Sequence, residues 1–212
     1  MRKLAIIGAG GHGRVVADCA MSSTNYQDII FIDDCYPERT KNLHWSIENN
    51  LSALDKYVNN YDFIIALGNN EVRQKIMLKL ENLQAKIITL VHHTAVVSPY
   101  STIGRGGVVF ANAVVNIGCT LGDGVIINTS ASIDHDCTVG DFTHISPGVH
   151  VAGGVKIGKY SWLGIGCSIV EYIEIATNTT VGAGAVVHKN TSANQLYVGV
   201  PASPIKSLAP IQ

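Results

Sequence analysis

Charge is scarce in this chain. Asp, Glu, Lys and Arg make up 15% of its 212 residues and nearly cancel, to a net −1. There is no basic arm or tail to neutralise a phosphate backbone or an anionic membrane, so neither nucleic acid nor a lipid surface is an expected partner. No apolar run reaches the roughly 20 residues needed to cross a bilayer. The N-terminal run Leu4-Ala5-Ile6-Ile7 is short and ends in glycine, which suits a first strand rather than a secretory leader. Five cysteines, none in a CxxC spacing, argue against a disulfide framework and fit reduced thiols in a cytoplasmic protein. Low charge combined with 47% hydrophobic residues describes a globular chain rather than a disordered one.

What the chain does have is a ladder. Every sixth residue from Val91 to Val187 is Val, Ile or Leu, seventeen in a row without a slip. A period of six fits neither a helix nor an ordinary strand; it predicts a hexapeptide parallel β-helix with one inward aliphatic per short strand. The position four residues later is mostly small, as in Ala113, Cys119, Ala131, Cys137, Ser161, Cys167 and Ala185. A crowded interior with room for one large side chain per strand demands that. Ile103-Gly104, Leu121-Gly122, Val139-Gly140 and Ile157-Gly158 recur every eighteen residues. They read as a bend, with three hexapeptides to a coil.

Before the ladder, strand and helix alternate. Residues 3–7, 28–34, 62–68 and 86–91 read as strands, with 36–50 irregular and a short helix over 51–58. Helices are expected over 14–21 and from Glu71 to about 83, the second capped by Asn69 or Asn70 and carrying Val72, Ile76, Leu80 and Leu83 on one face. This pattern predicts a small parallel, Rossmann-like α/β domain over 1–91, followed by the coil domain over 92–212.

Gly8, Gly10 and Gly13 form GxGxxG between a strand and a helix, and Asp33 lies twenty residues further on. Bare amides at a helix N-terminus suit a phosphate. A nucleotide-sugar diphosphate, an NAD-like dinucleotide and a purely structural turn all remain open on this pattern. The ninety or so residues before the coil are few for a two-halved dinucleotide fold. Asp33 and Asp34 offer acceptors to a ribose or base, and Gly68-Asn69-Asn70 ends a strand on the same carboxyl edge.

Within the coil, Asn128, Ser146, Gly164 and Gly182 are rungs eighteen apart. They make either a thin groove, wide enough for a pantetheine arm, or a device that eases the bend. His135 follows the inward Ile133 by two residues and so faces outward, between Asp134 and Asp136. A carboxylate beside imidazole raises its basicity and fixes its tautomer. His144 lies nine residues on, half a coil away and so on another side of the prism; the two histidines can meet only across neighbouring subunits. Cys137 points inward, which argues against it as a nucleophile and against a zinc site with His135 and Asp136; no metal is expected.

Several stretches together carry a resemblance: Gly8-Ala9-Gly10-Gly11-His12-Gly13, Phe31-Ile32-Asp33-Asp34, Ala66-Leu67-Gly68-Asn69-Asn70-Glu71, Asn128-Thr129-Ser130, Asp134-His135-Asp136-Cys137 and Gly199-Val200-Pro201-Ala202. In this order the chain resembles the sialic acid O-acetyltransferase and bacterial amino-sugar N-acetyltransferase family. The resemblance implies a left-handed β-helix, acetyl-CoA as co-substrate, and a homotrimer with active sites between subunits. It implies His135 as general base, tuned by Asp136. It places His144, Gly164, Ile165, Gly182, Ala183, Val200 and Pro201 along acetyl-CoA. It assigns Gly10, Gly11, His12, Asp33, Asp34, Gly68 and Asn128 to a UDP-linked amino sugar, acetylated on its 4-amino group for bacterial glycan synthesis. O-acetylation of sialic acid is the near alternative, though a free sialic acid would not need a diphosphate-binding loop. An NAD-dependent oxidoreductase and a non-catalytic nucleotide-sugar scaffold are the alternatives from other classes.

Overall fold

The computed structural model describes residues 2–23 and 26–211. Met1 and Gln212, the outer bounds of the two expected domains, lie outside the described residues. Internal contacts divide the chain into two units, Met1–His92 and His93–Gln212.

The first unit is a five-stranded sheet. Strand β1 (Arg2–Ile7) lies at its centre, parallel to β2 (Tyr26–Ile32) on one side and β5 (Asp62–Ile65) on the other. Beyond β2, the region read as irregular contains β3 (Lys41–Asn42) and β4 (Trp45–Asn49), giving the order β3-β4-β2-β1-β5. These two strands escape sequence reading because β3 is two residues long and β4 mixes exposed and buried positions. Leu4, Ala5, Ile6 and Ile7 are fully buried, as the unbroken apolar run of a central parallel strand requires. Residues 86–91 do not form the continuous strand expected. Only a bridge from Ile87 to Phe63 and the pair Leu90–Val91 are regular.

Helix α1 spans Gly11–Ser23 and α2 spans Asn70–Asn82. The α1 helix starts three residues earlier than the sequence suggested, so Gly11, His12 and Gly13 form its first turn. Asn69 caps α2, its side chain accepting the Val72 amide at 2.9 Å. The buried face of α2 is Asn70, Arg73, Ile76, Met77 and Leu80 rather than the face through Val72, which is exposed. The segment between β4 and β5 is a 3₁₀ helix, Leu51–Lys56.

The second unit is a left-handed parallel β-helix of two-residue strands. Each strand pairs with the one eighteen residues on, as in Val115↔Ile133, Ile133↔Val151 and Ile127↔Ile145. The sheets carry six, five and eight strands. The five-stranded sheet turns Thr102, Thr120, Thr138, Lys156 and Glu174 to solvent. All rungs from Val109 to Val187 are buried, as are the small residues Ala113, Cys119, Ala131, Cys137, Ser161, Cys167 and Ala185. The tail leaves the register and forms an antiparallel hairpin, Gln195–Val198 with Ser203–Ser207, at the end of the eight-stranded sheet.

The bend is not where the recurring glycines suggested. The left-handed corner residues lie two positions later, at Gly106, Asn112, Gly118, Gly124, Ser130, Asp136 and their successors, with φ from 53° to 77°. Gly104, Gly140 and Gly158 instead face the next coil. A Cβ on each would stand 2.5–2.6 Å from the amide nitrogen of Asp123, Lys159 or Thr177.

Candidate functional site

Two groups of residues carry chemistry, one in each unit. In the first, the loop 8–13 joins β1 to α1 at the carboxyl edge of the sheet. Its glycines divide by role. Gly8 has φ +105°, and a Cβ on Gly13 would stand 2.1 Å from the Gly8 carbonyl oxygen, so both serve the tight strand-to-helix turn. A Cβ on Gly10, Gly11 or Gly68 meets nothing within 4 Å. These three present open backbone, the surface a diphosphate needs.

The loop is anchored from behind. Asp33 accepts the Ala9 amide at 2.6 Å and the Cys35 amide at 2.8 Å. Burial alone would raise the Asp33 carboxyl, but these hydrogen bonds and the nearby Arg39 outweigh it and hold the group below the ordinary carboxylate range. Asp34 accepts the Leu51 amide at 2.9 Å. The Ala9 carbonyl accepts from Asn42 Nδ2 at 2.9 Å and from the Arg39 guanidinium. The two acids thus brace backbone, and each keeps acceptor capacity beyond these bonds.

Arg73 was not legible as part of this site. It is fully buried, donating to the carbonyls of Leu67 (2.9 Å) and Gly68 (3.2 Å) and to Asn70 Oδ1 (2.8 Å). It shapes the Gly68 turn, and its charge joins burial in pushing His12 down to about 4. His12 is therefore neutral at physiological pH.

In the coil, His135 and Asp136 form a dyad at a corner. Asp136 adopts φ +60°, which folds its carboxylate back to His135 Nδ1 at 2.9 Å. A carboxylate only accepts, so Nδ1 carries the proton and the neutral ring presents the Nε2 lone pair. The side chains are 49% and 72% exposed, accessible to a substrate. The Asp136 hydrogen bond raises the His135 pKa above 6.5 against the opposing desolvation, with the charges of Asp134 and Asp136 adding to the rise. Asp134 accepts the His135 amide at 2.8 Å and the Asn116 side-chain amide at 2.9 Å, which hold its carboxyl down. A cavity of about 350 Å³ opens beside Asp134, lined also by Asn116, Ser132, His150 and Ser168.

His144 belongs to another sheet, the eight-stranded one. It stacks on Trp162 at 5.0 Å, and its Nε2 lies 3.4 Å from Asn128 Nδ2. Trp162 Nε1 donates to Ser146 Oγ at 3.0 Å. The structure thus places Asn128, expected with the sugar, next to His144, expected with the coenzyme; Trp162 was not singled out. The rungs Gly164 and Gly182 are accounted for by packing. A Cβ on Gly164 would stand 2.6 Å from the Val181 carbonyl oxygen, and one on Gly182 would stand 2.8 Å from Val198. Ile165, Ala183, Val200 and Pro201 are exposed, Ile165 and Val200 at 59% and 73%. Cys137 and Cys167 are buried, their thiols pushed up to about 11 and about 12, so neither supplies a thiolate. Among the described residues no helix is long and apolar enough to cross a membrane.

An α/β unit with an open glycine loop, joined to a hexapeptide coil bearing an exposed His–Asp dyad, defines a hexapeptide-repeat protein. Comparison with known proteins narrows the class. Residues 3–80 match the family model described as the PglD N-terminal domain. The acetyltransferase domain of PglB from Neisseria gonorrhoeae FA1090, in complex with acetyl coenzyme A, is 40% identical over 96% of this chain and 99% of that one, with a TM-score of 0.91. PerB from Caulobacter crescentus, in complex with CoA and GDP-perosamine, is 31% identical over 97% of this chain and 98% of that one, also with a TM-score of 0.91. The UDP-N-acetylbacillosamine N-acetyltransferase of Bacillus subtilis (strain 168) is 31% identical over 113 residues; the match spans about half of each chain, 52% of both. The chain belongs to the hexapeptide-repeat sugar N-acetyltransferase family.

Proposed function

We propose that this protein transfers the acetyl group of acetyl-CoA to the 4-amino group of a UDP-linked amino sugar, giving a UDP-N-acetylbacillosamine-type product for glycan synthesis. The observation that carries the reading is the His135–Asp136 dyad, with Nδ1 tied at 2.9 Å and Nε2 free. The sugar amine must be neutral to attack the thioester. His135 Nε2 takes its proton as the C–N bond forms, and the tetrahedral intermediate then expels coenzyme A thiolate. General base catalysis of this kind is worth roughly 10²- to 10⁴-fold. No acyl-enzyme is formed on the buried, weakly acidic Cys137. His144 or a backbone N–H stabilises the oxyanion.

The open backbone of Gly10, Gly11 and Gly68, beside His12, Asp33 and Asp34, suits the nucleotide diphosphate. The exposed Ile165 and Ala183, next to Gly164 and Gly182 in sequence, and the exposed Val200 and Pro201 suit the apolar arm of the coenzyme. His135 projects from a corner of the coil and His144 from the eight-stranded sheet, which supports a homotrimer whose active sites lie between subunits, in the cytoplasm where acetyl-CoA is made.

The test is thiol release from acetyl-CoA against a panel of UDP- and GDP-linked amino sugars, with free sialic acid as a further acceptor. The reading expects turnover with a UDP-4-amino sugar and its loss in His135→Ala at unchanged acetyl-CoA affinity. Preference for a GDP sugar would revise the nucleotide, and turnover with sialic acid alone would overturn N-acetylation.

A further inference from the structure

His135 and Gly153 stand one coil apart, at equivalent positions of the eighteen-residue period. The Gly154 amide donates to the His135 carbonyl at 2.9 Å and fixes the two backbones at rung spacing. A Cβ placed on Gly153 would lie 2.5 Å from His135 Nε2, 2.6 Å from Cε1 and 3.2 Å from Cδ2. The Nε2–Cε1 edge of the imidazole therefore occupies the space that a Gly153 side chain would fill.

Two other demands for glycine in this coil do not apply at Gly153. Its backbone is not in the left-handed region, unlike that of Gly154, where φ is +69°. The atoms nearest its missing Cβ are not those of the next coil's backbone, as they are at Gly140 and Gly158; all three belong to the His135 ring. Equivalent positions one coil either way are His135 itself and Glu171, so the coil accepts a side chain there. On the opposite side of the dyad, a Cβ on Gly118 would stand 2.4 Å from Asp136 Oδ1, but φ +77° by itself already favours glycine at that corner. Gly153 is the glycine that only the ring explains.

We infer that Gly153 is a positioning residue for the general base: its missing side chain leaves the space in which the His135 ring lies, with Nδ1 on Asp136 and Nε2 open to the acceptor amine. The inference rests on the base role proposed for His135. A methyl group at Gly153 must either swing the ring off Asp136 or cover Nε2. Displacement of a reacting group by ~1 Å costs about 10²-fold.

The test is a cycle of Gly153→Ala, His135→Ala and the double variant, read as kcat, KM for acetyl-CoA and thermal midpoint. Gly153→Ala should lower kcat by about 10²-fold with KM for acetyl-CoA unchanged. The double variant should be no slower than His135→Ala alone, because the glycine acts only through the ring. If Gly153→Ala does not fold, the double variant should, since its ring is gone; failure of both overturns the inference. Wild-type kcat in Gly153→Ala beside a dead His135→Ala overturns this inference alone. Wild-type kcat in His135→Ala overturns the base role and this inference together.

Discussion

The carboxylate of Asp33 accepts the amide of Ala9 at 2.6 Å, tying the end of β2 to the glycine loop that follows β1. An acid that looks like a ligand for ribose is also the bolt that holds the phosphate loop. Asp33→Ala strands the Ala9 and Cys35 amides, which should cost about 1–3 kcal/mol in urea denaturation and weaken nucleotide-sugar binding. The folded-state carboxyl lies below its ordinary 3.8. Its stabilisation is therefore complete above that value and fades as pH falls through the folded pKa. Wild type should show this acid loss, and Asp33→Ala should lack it.

The second prediction concerns the pH profile. Asp136 raises the His135 pKa through the 2.9 Å hydrogen bond. The base acts only when neutral, so the acid limb of kcat marks that pKa. Asp136→Asn should move the limb to lower pH, toward 6.5, and lower the maximal rate because the ring loses basicity and its fixed tautomer. An acid limb that stays in place would separate Asp136 from His135 in function.

Arg73 lies under the Gly68 turn, its guanidinium donating to the carbonyls of Leu67 and Gly68 and to Asn70 Oδ1. Arg73→Met keeps the volume but leaves the Leu67 and Gly68 carbonyls without these donors. It should destabilise the protein by about 2–3 kcal/mol, measurable by urea unfolding. The same change removes one of the two causes that push His12 down to about 4. The His12 ring should then titrate at a higher pH by NMR.

The ladder makes a contrast testable within one coil. Ile133 is fully buried on the axis beneath the His135–Asp136 corner. Ile133→Ala should cost about 2–5 kcal/mol. Thr120, exposed on the five-stranded sheet, should tolerate Ala within about 0.5 kcal/mol. Equal costs at the two positions would refute the inward reading of the sixth residue.

The sequence by itself determined the coil, because each rung pairs with residues a constant eighteen positions away. A constant offset makes tertiary neighbours readable as a local period, and the inward ladder and the outward His135 follow from it. The α/β unit was legible in its central strands for a similar reason: strands buried on both faces are continuous apolar runs. What lacks such a period was decided only in three dimensions. The two-residue β3 and the half-exposed β4 carry no pattern, so Asn42 gave no sign that it grips the Ala9 carbonyl. Arg73 reads as a helix surface charge until α2 turns it inward. The recurring Gly104, Gly140 and Gly158 looked like bends, but coil-to-coil crowding demands them, and the true corners accept Asn, Ser and Asp in the left-handed conformation. Gly153 looks like one more small residue of the coil. Only the position of the ring one coil below shows that the space it leaves is filled by the side chain of His135, the base proposed above.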